Sequence, residues 1–179
     1  MTGIWMALTL LATTLQAGEP VAAPPAEAVA GIAAVTAPEA GRFRVINWLW
    51  SGPGVTREVR FTLETAPALD GAGLRTQWRD AETGSFVGEL TRTQDPASGE
   101  WVQHWFSAAS GQWSVTRQSV QVYEDGYGTA FSGEDGHGPF DVRTRTTHLA
   151  TGGYDWIIER RYPGTDWFVV DRGEARPAD

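Results

Sequence analysis

From Gly41 onward the sequence alternates between apolar and polar residues, and this period of two constrains the fold more than any other feature. The pattern is typical of β-strands that have one face against a core. Turn signals rich in Gly, Pro, Asp and Ser interrupt the alternation at 51–54, 70–73, 80–84, 95–99, 107–111, 124–126, 133–138, 151–153 and 163–166. These turns separate about ten strands joined in order as hairpins. No segment is long enough for the crossover helices of a parallel sheet.

The sequence therefore predicts an all-β domain, in which an up-and-down antiparallel meander closes into a barrel of about eight to ten strands. Closure removes the exposed edges of a long meander. A sandwich is less favoured because no long connection indicates a Greek key. The alternation places four sets of residues on common faces: Val59, Phe61 and Leu63; Leu74, Thr76 and Trp78; Tyr154, Trp156 and Ile158; and Trp167, Val169 and Asp171.

The first forty residues do not follow this pattern. Residues 1–17 hold no charged side chain and contain an apolar run at 4–12. The run has the length of a signal-peptide core and is too short to span a bilayer, although the usual cationic start is missing. We interpret 1–17 as a signal peptide, which predicts a periplasmic or secreted protein. Residues 18–40, rich in Ala and Pro, predict a disordered tether, with a barrel-capping helix within 26–36 as the alternative. The barrel domain is assigned to 41–176.

The composition excludes several kinds of chemistry. The chain has no cysteine, so thiol nucleophiles, disulfides and Cys-based metal sites are excluded. It has no lysine either, which excludes Schiff-base enzymes and the Gly-Lys phosphate loop. A formal charge of −8 disfavours nucleic acid as a partner. No segment is long enough to predict a membrane-spanning helix.

Residues 91–107 and the segment that follows carry a resemblance to a known family. Arg92, Asp95, Gly99, Trp101 and Trp105 occur in the order and spacing found in bacterial lipocalin-like, calycin-type barrel domains of unknown function. The C-terminal part is also similar, with a Trp-containing strand, a tight turn and a final strand. The resemblance covers roughly residues 41–175. It implies a barrel with a ligand cavity and no particular activity.

Three histidines, His104, His137 and His148, are the few candidates for metal or acid–base chemistry. Their spacing matches no metal motif. The resemblance makes His148 the candidate for a haem ligand, because some calycin-type barrels bind haem through a histidine near their C-terminal strands. The loop 132–139 is acidic and Gly-rich but lacks the alternating ligands of a calcium loop. We predict no metal site, no cofactor and no catalytic residue.

Arginine and tryptophan supply the predicted ligand-binding residues. Arg143 and Arg145 share a strand face, where Arg160 or Arg161 alongside would complete a patch for a carboxylate or phosphate. The alternative is cross-strand pairing with the interleaved acidic residues. Of the nine tryptophans, the eight that follow the predicted signal peptide either fill a small barrel or line a pocket. Parity predicts that five of them face inward and bind ligand: Trp48, Trp78, Trp101, Trp105 and Trp156.

These features favour a barrel that binds one small hydrophobic or aromatic ligand. One alternative is an enzyme on the same barrel, with His104 or His148 paired with a carboxylate as acid and base. The other is a packed structural or interaction protein, which predicts an exposed apolar patch. The sequence indicates neither the ligand's identity nor the oligomeric state.

Overall fold

A computed structural model describes residues 31–178, in which ten antiparallel strands form a closed barrel. The strands are β1 (Gly41–Gly52), β2 (Val55–Ala68), β3 (Gly73–Asp80), β4 (Phe86–Gln94), β5 (Trp101–Ser107), β6 (Gln112–Tyr123), β7 (Gly126–Asp135), β8 (Gly138–His148), β9 (Tyr154–Arg161) and β10 (Phe168–Pro177). Each strand pairs with its neighbours in sequence, and β1 pairs with β10 to complete the ring. The predicted meander and its closure are confirmed, and every predicted turn lies at a strand junction.

A short helical segment closes one end of the barrel. It consists of α1 (Ile32–Thr36) and a 3₁₀ turn (Ala37–Glu39), and we call it the plug. The Thr36 hydroxyl donates a 2.6 Å hydrogen bond to the carbonyl of Ile32, within the same helical turn. The plug is the last part of the segment predicted as a tether over 18–40. Residues 18–30 and the predicted signal peptide at 1–17 lie outside the described part of the chain.

Apolar contacts hold the plug in place. Ile32 and Val35 pack with Trp101 and Tyr127 in a buried cluster under the plug. A second buried cluster continues inside the barrel wall and contains Phe43, Val45, Leu63, Tyr154 and Ala175. Burial of these groups from water is the main favourable contribution to stability at this end.

On β2 and β9, inward-facing side chains become more exposed with distance from the plug, whereas Phe140 and Val142 on the far part of β8 are buried. Phe43 and Leu63 near the plug are buried, whereas Phe61 is half-buried one inward position further along β2. Leu90 and Ile158 are half-buried in the same part of the interior. We call this part, on the side away from the plug, the open half. The plug thus closes one end of the barrel, and the other end is partly accessible to solvent on the side of β2 and β9.

A β-bulge in β10 changes which residues face inward. Val169 lies opposite Glu159, and Asp171 lies opposite Ile158, so the register shifts by one residue between them. Val169 therefore faces outward, while Asp171 faces the interior. The predicted common face of Trp167, Val169 and Asp171 is wrong, because one extra residue in a bulge reverses the alternation beyond it.

The pairing between β6 and β7 is the shortest in the barrel. It extends only from Ser119 opposite Ala130 to Tyr123 opposite Gly126. The first part of β6, from Gln112 to Gln118, pairs with β5. Because the register of β6 with β7 stops at Ser119, the two strands diverge toward the open half. We call this divergence the seam.

No helix within residues 31–178 has the length and apolar character needed to cross a membrane.

Candidate functional site

Three tryptophans from separate strands meet in the interior of the open half. Trp78 of β3 lies with its ring centre 6.2 Å from that of Trp105 on β5 and 6.0 Å from that of Trp156 on β9. Both contacts are edge-to-face, an arrangement that aromatic quadrupoles favour. Phe61 adds another edge-to-face contact with Trp78. We call Trp78, Trp105 and Trp156 the indole cluster, and each member is half-buried.

Glycines on neighbouring strands make room for two of these rings. A Cβ atom added at Gly173 would lie 2.0 Å from Cζ2 of Trp156, and one at Gly88 would lie 2.6 Å from the ring of Trp105. The indole rings therefore lie directly over bare backbone. Only glycine permits so close an approach, and the rings are held against the wall.

Asp171 places one carboxyl group beside the indole cluster. Its Oδ1 accepts a 2.6 Å hydrogen bond from Nδ2 of Asn47 and a 2.9 Å hydrogen bond from Nε1 of Trp156. Burial raises the pKa of Asp171 above the ordinary 3.8, although the two hydrogen bonds act in the opposite direction. Since the bulge in β10 turns this residue inward, the open half combines aromatic walls with an acidic group that has no ion-pair partner among the described residues.

A second polar group lies at the plugged end. Nη1 of Arg92 is 3.4 Å from Oε2 of Glu39 and donates a 2.9 Å hydrogen bond to the hydroxyl of Tyr127. Nε2 of His148 is 3.3 Å from Oε1 of the same glutamate. Burial raises the pKa of Tyr127 above its ordinary value of 10.0, so the phenol stays neutral. The barrel wall thereby holds the plug through its single carboxylate.

The enzyme alternative pairs His148 with a carboxylate, and Glu39 lies within hydrogen-bond distance of its ring. Both carboxylate oxygens of Glu39, however, are engaged with the wall, and its side chain is only 5% exposed. The geometry assigns this pair to attachment of the plug.

The predicted inward tryptophans divide into three groups. Trp78, Trp105 and Trp156 form the indole cluster. Trp101 also faces inward, but it is fully buried beneath the plug. The expected inward orientation of Trp48 is wrong. It pairs with Arg172, whose guanidinium lies 4.6 Å from its ring centre on the outer wall. The alternation holds through β1, but Trp48 occupies its outward set, between inward-facing Asn47 and Leu49.

Arg143 and Arg145 lie on the outer wall and flank an open groove of about 590 Å³ over Gly128 and Ala130. Each is paired with an acidic residue, Arg143 with Glu159 at 2.6 Å and Arg145 with Asp125. The cross-strand pairing given as the alternative for these arginines is therefore present for Arg143. Their role in ligand binding stays a prediction, at a site outside the barrel interior.

The remaining sequence candidates lie apart from these sites. His104 pairs with Thr91 and Val115 in the outward set of β5, and His137 is exposed in the β7–β8 turn. Within the described residues, no three His, Asp or Glu side chains are close enough to hold a metal ion together.

The outer wall also carries a row of aromatic residues. Phe106 lies 6.2 Å from Phe86 and 5.2 Å from Trp113, measured between ring centres. Trp113 and the nearby Val115 are both 57% exposed. The interaction-protein alternative predicts an exposed apolar patch, and these residues are the candidates for it.

Sequence reasoning missed Asp171 and Asn47 as interior polar groups and the glycines beneath the indole rings. The signal for the glycines lies in the register, since Gly173 is directly opposite Trp156, and Gly88 is two residues from Leu90, which lies opposite Trp105. A tryptophan near a glycine of the neighbouring strand indicates a ring that packs on the glycine backbone. Single alternating segments do not reveal it, because the pair forms only once the strands are aligned.

No protein-family model matches the chain, and no curated protein matches it. The closed ten-strand antiparallel barrel is consistent with a lipocalin-like barrel at the level of architecture.

Proposed function

We propose that this protein is a calycin-type binding protein that holds one small hydrophobic or aromatic ligand in the open half of its barrel. The half-burial of the inward-facing indole cluster carries the proposal. Side chains that only filled a core would be shielded there as they are beneath the plug. Aromatic walls with a few polar groups are the usual lining of small-molecule sites.

Native mass spectrometry of the protein from a cell extract tests the proposal. We expect an added mass that disappears on denaturation, and an absorbance scan of the same sample identifies any haem. The purified protein is also titrated with N-phenyl-1-naphthylamine, a neutral fluorescent probe of apolar cavities. A bare mass together with no probe binding would overturn the proposal and favour the interaction-protein alternative.

A filling variant locates the site. Ile158→Trp adds a large ring to the open half, and we expect probe affinity to fall by about tenfold or more because the added volume competes with the probe. Val115→Trp is the matched control, since it adds the same ring to the outer wall. Equal probe affinity in the two variants would place the probe outside the barrel.

The outer groove beside Arg143 and Arg145 supports a second candidate, a site for a ligand with a carboxylate or phosphate. Its volume of about 590 Å³ is large enough for a small molecule. Arg145→Gln distinguishes the two sites, because it weakens an anionic ligand in the groove and leaves probe binding in the open half unchanged. An anionic ligand that still binds this variant with full affinity would rule out the groove.

We further propose a periplasmic or secreted location, on the basis of residues 1–17. The denatured mass of the protein from cells tests this, because removal of the signal peptide shortens the chain at the predicted site after Ala17. An intact N-terminus would overturn the proposed location and leave the binding proposal unchanged.

A further inference from the structure

We propose that the ligand of the open half is an organic cation, an amine whose ammonium group pairs with Asp171 while its apolar part packs on the indole cluster. The inference rests on the proposed binding function and adds the chemical class of the ligand. It is carried by the arrangement of hydrogen bonds and aromatic rings around one carboxyl group.

The carboxyl group of Asp171 has one oxygen committed and one available. Asn47 and Trp156 both donate to Oδ1. Among the described residues, no hydrogen bond reaches Oδ2. Oδ2 is also not one of the buried side-chain atoms that lack a partner, which are Nε1 of Trp78, Nε1 of Trp101 and Nε of Arg160. The two donors fix the carboxyl plane, and Asp171 as a whole is half-buried.

No cation in the described part of the chain forms an ion pair with this carboxyl group. None of the ion pairs seen within residues 31–178 includes Asp171, and only Asn47 and Trp156 act on its pKa besides burial. The side chains that face it from β1 are Asn47 and Leu49, and those from β9 are Trp156 and Ile158. None of these four titrates. Three arginines lie in the inward register: Arg92 pairs with Glu39, Arg160 pairs with Asp135, and Arg57, opposite Leu49, is exposed. None of them is among the groups that act on the pKa of Asp171.

The aromatic surroundings suit a positive charge as well. An ammonium group near the face of a tryptophan is attracted by the ring quadrupole, and the attraction is larger where water is excluded. Trp156 contacts Asp171 directly, and Trp78 lies against Trp156. A cation beside Oδ2 therefore meets a carboxylate and indole rings together. A neutral ligand would use the rings alone.

Binding of the amine changes the protonation state of Asp171. Burial favours the protonated carboxyl group, and a bound ammonium favours the carboxylate. Binding of an amine cation to the protonated form therefore releases one proton from Asp171 to solvent. As pH falls toward the raised pKa of Asp171, amine affinity is expected to decrease, because a protonated carboxyl group no longer attracts the cation.

The test compares two probes of similar shape, 2-phenylethylamine and 2-phenylethanol, by calorimetric titration of the full-length protein. At about pH 8 the amine is protonated, and we expect it to bind about tenfold more tightly than the alcohol. Tighter binding of the alcohol would overturn the cation proposal and keep the binding function. If neither the amine nor the alcohol binds while N-phenyl-1-naphthylamine does, the cation proposal is likewise overturned and the binding function is kept. Failure of all three would overturn the binding function itself.

Asp171→Asn is the decisive variant. It keeps an oxygen acceptor for Asn47 and Trp156 but removes the charge, so we expect the amine preference and its pH dependence to disappear while alcohol affinity is unchanged. Asp166→Asn, in the exposed β9–β10 turn, removes the same charge elsewhere and should keep the preference. Persistence of the preference in Asp171→Asn would overturn the proposal.

Stability gives a readout that separates binding from folding. Because burial raises the pKa of Asp171 in the folded state, the protonated residue contributes its full stabilisation at pH values below its unfolded-state pKa. This contribution is lost as the pH rises through the folded-state pKa. At neutral pH, Asp171→Asn is therefore expected to unfold at the same urea concentration as the parent protein or at a higher one. A folded variant that loses only the amine preference assigns the carboxylate to ligand binding.

Discussion

At the scale of single residues, the open half depends on two glycines as much as on its tryptophans. Gly173 and Gly88 let the rings of Trp156 and Trp105 lie on the backbone of the neighbouring strand. A flat ring against the wall occupies less of the interior than one pointing to the barrel axis. The space available to a ligand is therefore set by residues that have no side chain.

Gly173→Ala tests this dependence. The added methyl group would meet the Trp156 ring at 2.0 Å, so the ring must leave the wall and turn into the interior. We expect a loss of about 1–3 kcal/mol in the free energy of unfolding, measured with urea, and weaker probe binding. Gly136→Ala is the control, because a Cβ at that position has no neighbour within 4 Å. Equal stability of the two variants would contradict the close packing of Trp156 on the strand.

At the scale of elements, the plug is attached by both apolar and ionic contacts. Its helix is too short to be stable alone in water, so it depends on packing against the barrel. Ile32 and Val35 supply the apolar contacts, and Glu39 supplies the charge that Arg92 requires. The plug and the barrel end are expected to form and dissociate as one unit.

Glu39→Gln tests the ionic part of this attachment. The change leaves the buried guanidinium of Arg92 without a carboxylate, and we expect the free energy of unfolding to fall by about 3 kcal/mol. Hydrogen exchange of the amides in residues 32–39 should rise in the same variant. Glu64→Gln provides the comparison, since its partner Arg42 is exposed and the pair is worth less than about 1 kcal/mol. A Glu39 effect no larger than the Glu64 effect would show that apolar packing alone holds the plug.

The sequence predicts these elements to different degrees. Strand number, turns and meander order follow from local alternation and turn residues, and the structure confirms them. The inward orientation of Asp171 does not follow, because a bulge at Val170 is set by pairing with β9 rather than by β10 itself. The orientation of Trp48 fails for a related reason, since a single-residue error in face assignment moves every side chain of a strand. The plug's ionic contacts join residues more than fifty positions apart, and no local pattern encodes them.

At the scale of the whole molecule, two buried phenols couple the ionisation of tyrosine to unfolding. Burial raises the pKa of Tyr127 and of Tyr154 above the ordinary 10.0. A raised folded-state pKa means that stability is constant below about pH 10 and decreases as pH rises further, since the unfolded chain releases these protons more readily. The barrel is therefore expected to unfold in alkali.

A titration of absorbance at 295 nm, followed together with circular dichroism, measures this coupling. We expect part of the tyrosine signal to appear only as the β-sheet signal is lost. Tyr154→Phe should reduce the dependence of stability on pH above about pH 10, because one ionising group is removed. Tyr123→Phe, at a 41% exposed position, is the control. Complete tyrosine ionisation in a barrel with an intact sheet signal would contradict the burial of both phenols.

The seam between β6 and β7 gives the barrel a preferred place to open. A closed sheet separates most readily between the two strands that share the fewest backbone hydrogen bonds. The β6–β7 pairing, from Ser119 to Tyr123, is the shortest of the ten. Transient widening there is expected to admit a molecule through the side of the wall, and it also moves Val120 and Tyr127, which pack beneath the plug. Affinity and residence time then depend on different parts of the molecule. Under the proposed function, the indole cluster and Asp171 are expected to set how tightly a guest is held, and the strength of one short ladder is expected to set how long it stays.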